Sequence, residues 1–114
     1  MWLYKKYAAL ILHEVNVSQF GFLGVLPLKE SASKGHLPIV EYLVQNDADV
    51  NQTQKGVTAL FISAVQGHVA IVEFLLNNGA NINQKTLCGK TPLAISIKEG
   101  HEKVTELLRA RGAV

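Results

Sequence analysis

Apolar residues gather in short stretches that recur at an even interval along this chain. Ile39-Val40-Glu41-Tyr42-Leu43, Ile71-Val72-Glu73-Phe74-Leu75 and Val104-Thr105-Glu106-Leu107-Leu108 each follow a Gly-His pair, with glutamate in the same slot each time. Their spacing predicts short helices that bury one face. The pairs are Gly35-His36, Gly67-His68 and Gly100-His101, at intervals of 32 and 33 residues. Upstream of each pair lies a start signal, Leu26-Pro27-Leu28, Thr58-Ala59-Leu60 or Thr91-Pro92-Leu93, in which Thr caps a helix and Pro suits its first turn. Asp47-Ala48, Gly79-Ala80 and Gly112-Ala113 mark the stops. Each unit therefore reads as a turn, a short helix, a tight bend and a longer helix, and a period of this length predicts a stacked array.

These residues resemble the ankyrin repeat. Gly89-Lys90-Thr91-Pro92-Leu93 and Asn77-Asn78-Gly79-Ala80-Asn81-Ile82-Asn83 are nearly verbatim pieces of that family's pattern, and the resemblance runs from Gly24 to Val114. It implies an all-α ankyrin-repeat solenoid of stacked helix-turn-helix units with short β-turn fingers. Repeats are expected over residues 24–52, 53–85 and 86–114, the last as a C-terminal cap. The family's His after Pro-Leu is Lys29, Phe61 and Ala94 here, and the first Ala of its Ala-Ala pair is Ser31, Ser63 and Ser96. Local hydrogen bonding should therefore depart from the consensus array. The finger from Asn51 to Gly56 is also one residue shorter than that from Asn83 to Gly89, so its tip should differ.

Residues 1–23 are read as a degenerate helical segment or partial repeat. Leu3, Tyr7, Leu10 and Ile11 share one helical face, with Glu14 at its edge, whereas the apolar run from Tyr7 to Leu12 is too short for a secretion signal. Gly21, Gly24 and Pro27 break the following run, so no membrane span is expected there. At the other end, Thr105 and Arg109 replace Val72 and Leu76, as a last repeat with an uncovered outer face requires. No such polar conversion marks the start, where Trp2, Leu3, Tyr4, Tyr7 and Leu10 crowd together, as in a fragment of a longer array or a segment that packs on something else.

The chain has 114 residues, enough for one small core, and three repeats are about the minimum at which stacking offsets the cost of ordering the chain. A net charge of +2 does not argue for nucleic acid, and one cysteine excludes an internal disulfide framework. The cytoplasm is the expected compartment, with the nucleus or a host cell's cytoplasm as alternatives.

Candidate chemistry reduces to architecture. Ser31-His36, Ser63-His68 and Ser96-His101 repeat one offset, but catalysis needs a single asymmetric constellation with a third group orienting the base, and no Asp or Glu occupies a common position to do so. Histidines in equivalent slots of stacked helices sit too far apart to share a zinc ion. They are expected to hydrogen-bond neighbouring backbone. Cys88 reads as a passive surface thiol, and no phosphate-binding glycine loop occurs. No enzyme activity, cofactor, metal or small-molecule substrate is expected. Asn51 and Asn83 are read as bridges between turns, although Leu43 with Asp49-Val50-Asn51 resembles the ankyrin segment that asparaginyl hydroxylases modify.

What remains is recognition of a partner. The resemblance implies a non-catalytic protein-protein interaction module that uses its turn tips and the concave side of its first helices. By register the contact positions are Lys34, Gln54, Lys55, Val57, Val65, Gln66, Lys85, Leu87, Lys90 and Lys98, with Ser33, Cys88 and Glu99 beside them. Five lysines against one glutamate give this set a net charge of +4, while Glu41, Glu73, Glu102 and Glu106 lie on the second helices. An acidic protein segment with a few apolar anchors is the expected partner. Nucleic acid is a poor candidate because base-stacking aromatics are absent from the set. The alternatives are a structural piece of a larger ankyrin array, or a microbial effector displaying the array in a host cell.

Overall fold

The computed structural model describes residues 25–114, with side chains from Leu28 onward, so the expectations for residues 1–23 lie outside the described residues. Six helices follow in pairs: α1 (Val25–Lys34) with α2 (Leu37–Gln45), α3 (Ala59–Gln66) with α4 (Val69–Asn77), and α5 (Pro92–Lys98) with α6 (Glu102–Ala110). The first helices form one layer, α1 against α3 against α5, and the second helices form another, α2 against α4 against α6. A single bridge between Gln54 and Val57 is the only β pairing among the described residues.

Local chemistry sets where α3 and α5 begin. Thr58 and Thr91 hold extended backbone, and their Oγ1 atoms accept from the Phe61 and Ala94 amides at 3.1 Å each, satisfying donors that a helix start leaves free. At the equivalent position before α1 the chain has Leu26, which carries no such oxygen, and the described part of that helix runs from Val25.

All six helices end alike. A residue of positive φ follows each one, and the next amide reaches back to the last turn, as in His68 N to Ser63 O at 3.0 Å or Ala80 N to Leu75 O at 3.0 Å. Five of these six residues are glycines, whereas after α2 the slot holds Asp47 at φ 73°. A side chain is disfavoured in that conformation, and a carboxylate at a helix C-terminus opposes the helix dipole. Asp47→Gly should therefore stabilise the fold by roughly 0.5–1 kcal/mol, after the larger chain entropy of glycine is discounted. A thermal melt followed by circular dichroism should rise by a few degrees, and an unchanged or lower midpoint would refute this account.

The core repeats by slot. Leu28, Leu60 and Leu93 face Leu43, Leu75 and Leu108, with Val40 and Val72 between them, all buried. The three serines in the family's alanine slot are buried too, and each hydroxyl donates to the carbonyl three residues back: Leu28 at 3.1 Å, Leu60 at 3.0 Å and Leu93 at 2.8 Å. The consensus departure is thus absorbed locally, and among the described residues no buried polar side-chain atom lacks a partner.

One expectation is corrected. Thr105 does not face solvent as a polar cap, because it is only 8% exposed. Its hydroxyl donates to the His101 carbonyl at 3.0 Å and lies 2.8 Å from Ser96 Oγ, so the polarity is consumed inside the repeat. Arg109, on the same helix, is the residue that meets water.

Candidate protein-binding surface

Two fingers project between the helix pairs, and their tips differ as the one-residue difference in length requires. Before α3, Gln54 and Val57 exchange backbone hydrogen bonds of 3.3 and 3.0 Å around Lys55 and Gly56, at φ 57° and 78°. Two positive φ values in a two-residue loop are the hallmark of a type I′ hairpin turn. Before α5 the loop has three residues: Thr86 N donates to Lys90 O at 2.9 Å, Gly89 N donates to Thr86 O at 2.8 Å, and Gly89 is left-handed. Here a type I turn is followed by a glycine bulge.

The fingers are joined to each other. Leu87 N donates to Lys55 O at 3.2 Å, which sets the backbones of Lys55, Thr86 and Lys90 side by side. This contact needs Gly56, where an added Cβ would lie 2.6 Å from the Lys85 carbonyl oxygen and 2.8 Å from Thr86 Cα. Asparagines clamp the finger bases. The Asn51 side-chain amide donates to Gly79 O at 2.9 Å and its oxygen accepts from Asn81 N at 2.6 Å, while Asn83 Oδ1 accepts from Val114 N at 3.3 Å. The bridging role expected of both residues is what the structure contains.

The histidines work across repeats as well. His68 Nε2 lies 2.9 Å from Ser33 O, and His101 Nε2 lies 2.9 Å from Val65 O. Each ring therefore satisfies a carbonyl that the end of the preceding first helix leaves free. Ser63 and His68 have separate partners, the Leu60 and Ser33 carbonyls, and form no nucleophile-base pair. Among the described residues no three His, Cys, Asp or Glu side chains gather around a common point for a metal ion.

The contact positions chosen by register fall in two groups. Gln54, Lys55, Lys85, Leu87 and Lys90 are exposed on the joined fingers, where Leu87 is 77% accessible. Lys34, Gln66 and Lys98 are exposed at the C-terminal ends of α1, α3 and α5. Val57 and Val65 are only half-buried, and Val65 packs against the core, so Leu87 is the one apolar side chain of the set that stands free. Glu30, not included in the set, pairs with Lys34 at 2.9 Å one helical turn away. The hydrogen bond and the charge of Lys34 hold the Glu30 carboxyl below its usual range. Lys34 is thereby partly neutralised, and the free positive charge concentrates on the fingers. That i, i+4 pairing was readable from the sequence.

A rigid stack that offers fingers and helix ends rather than a deep cleft defines a solenoid of the surface-recognition class. The family model for ankyrin repeats, in three copies, matches residues 5–86 and 28–114, and the chain belongs to the ankyrin-repeat family. Ankyrin repeats are generally protein-interaction modules and generally not catalytic. A comparison with curated proteins found no match for this chain. No helix among the described residues is long and apolar enough to cross a membrane.

Proposed function

We propose that this chain holds a partner protein against its joined fingers and the adjacent ends of its first helices, and that the partner presents an acidic segment with an apolar anchor. The observation that carries this reading is the backbone bond between Leu87 and Lys55. It holds the finger that carries Lys55 against the finger that carries Lys85, Leu87 and Lys90, all four exposed, on a surface braced by backbone hydrogen bonds. A preformed surface avoids the ordering cost that a flexible loop incurs, so a modest contact suffices. The lysines steer an acidic partner, and Leu87 supplies the desolvated contact. The exposed Cys88 at the same tip suits a reducing compartment such as the cytoplasm.

Affinity capture from lysate, with the intact chain beside a Lys55→Glu, Lys85→Glu, Lys90→Glu variant, tests this. The intact chain should retain a protein that the variant loses by at least about tenfold, and raised salt should weaken the capture. Equal retention of the same protein by a folded variant would rule out the finger surface.

A further inference from the structure

The outer face of the third repeat breaks the pattern of the two before it. Ala32 and Ala64 occupy equivalent slots in α1 and α3 and are both fully buried, in helices packed against the next repeat. The third member of this column is Ile97, 52% exposed. The neighbouring glycine column behaves likewise. An added Cβ would meet the His68 ring at 2.9 Å on Gly35 and the His101 ring at 2.6 Å on Gly67, whereas on Gly100 it meets nothing within 4 Å. Ile97 and Gly100 line an open groove of about 340 Å³.

Another repeat stacked at the same spacing would be overpacked there. Close packing leaves no room for the three extra side-chain carbons that isoleucine places in the alanine slot. Charge points to a different occupant. Glu102 stands where α2 and α4 have the half-buried Leu37 and Val69, and it flanks the groove with Glu106 one turn along. Arg109 is the one cation lining it. Neither groove carboxylate forms a salt bridge with another described residue, unlike Glu30, which pairs with Lys34. The surface that matches one exposed isoleucine flanked by two carboxylates is on this same molecule: Leu87, 77% exposed, with Lys85 and Lys90 beside it.

We infer that this groove is a docking site for a second copy of the chain, with Leu87 of one copy against Ile97 of the other and Lys85 and Lys90 opposite Glu102 and Glu106. The contact is heterologous, finger to groove, and it covers the finger that the proposed partner uses. Self-association thus competes with partner capture.

Sedimentation velocity over two decades of protein concentration tests it. The intact chain should exceed its single-chain mass of 12.4 kDa at the upper end and return to it in roughly 0.5 M salt. A Lys85→Glu, Lys90→Glu variant and a Glu102→Lys, Glu106→Lys variant should each stay at one-chain mass, and mixing the two should restore association. All four changes are at exposed positions, and melting curves establish that the variants fold. An intact chain that stays at 12.4 kDa throughout, association that survives either variant, or a mixture that remains separate would each overturn the inference. The groove variant separates this from the functional reading, because it leaves the fingers intact and should capture the partner undiminished.

Discussion

Gly67→Ala is expected to destabilise the fold by roughly 2–5 kcal/mol, the sum of a left-handed residue forced to carry a side chain and an overpacked contact. Gly67 sits at φ 78°, and a Cβ there would lie 2.6 Å from Nδ1 of His101. A free imidazole would swing aside at little cost. This one is held by its own bond to the Val65 carbonyl at 2.9 Å, so relief of the clash breaks one of the ties between the second and third repeats. Gly100→Ala is the matched control, because its φ of 75° is nearly the same and its surroundings are open. It should lose only the backbone component, about 1–2 kcal/mol. Urea denaturation of the two variants measures the difference. Equal losses would show that conformation alone governs the site and that the histidine contact adds nothing.

Leu75→Ala should cost about 3 kcal/mol, within the 2–5 kcal/mol range for buried leucines. Leu75 has no exposed surface and lies in α4, the second helix of the middle repeat, with α2 packed on one side and α6 on the other. A domain of this size has roughly 5–15 kcal/mol of stability in all, so the loss is a large share of it. Position matters as much as size. In a stacked array each repeat is supported by its neighbours, and a cavity in the middle weakens both junctions. The urea transition should accordingly broaden as well as shift. Leu108→Ala, buried equally but in the terminal repeat, should leave residues of the first two repeats on a single steep transition. A Leu75→Ala protein that unfolds with unchanged steepness and loses under about 1 kcal/mol would refute this account of the coupling.

The periodic features were legible because each is written within one repeat of about 33 residues. The helix pairs, the threonine caps at Thr58 and Thr91, and the positive-φ glycines follow from residues a few positions apart. So does the difference between the finger tips, since loop length selects turn type. Polarity alone is a poor guide to a side chain's role here. Thr105 looked like a solvent-facing replacement for valine, yet Ser96, nine residues away, was placed to absorb its hydroxyl. The charge of Lys34 is not free, because Glu30 four residues before it pairs with it. Ile97 stood in plain view beneath Ala32 and Ala64 in the repeat register. It became informative only when those alanines proved fully buried and the isoleucine did not.

From the sequence alone residues 25–114 are a stack of three helix pairs with fingers between them, because helix starts, stops and apolar faces are short-range properties that a periodic chain states repeatedly. Which backbone atoms the histidines reach, 35 and 36 residues upstream, was decided only by the tertiary structure. So were the joining of the fingers through Lys55 and Leu87 and the open groove at Ile97. These are relations between surfaces that come together when repeats pack. Their geometry depends on helix spacing and on which small residues permit close approach, quantities that no single repeat contains.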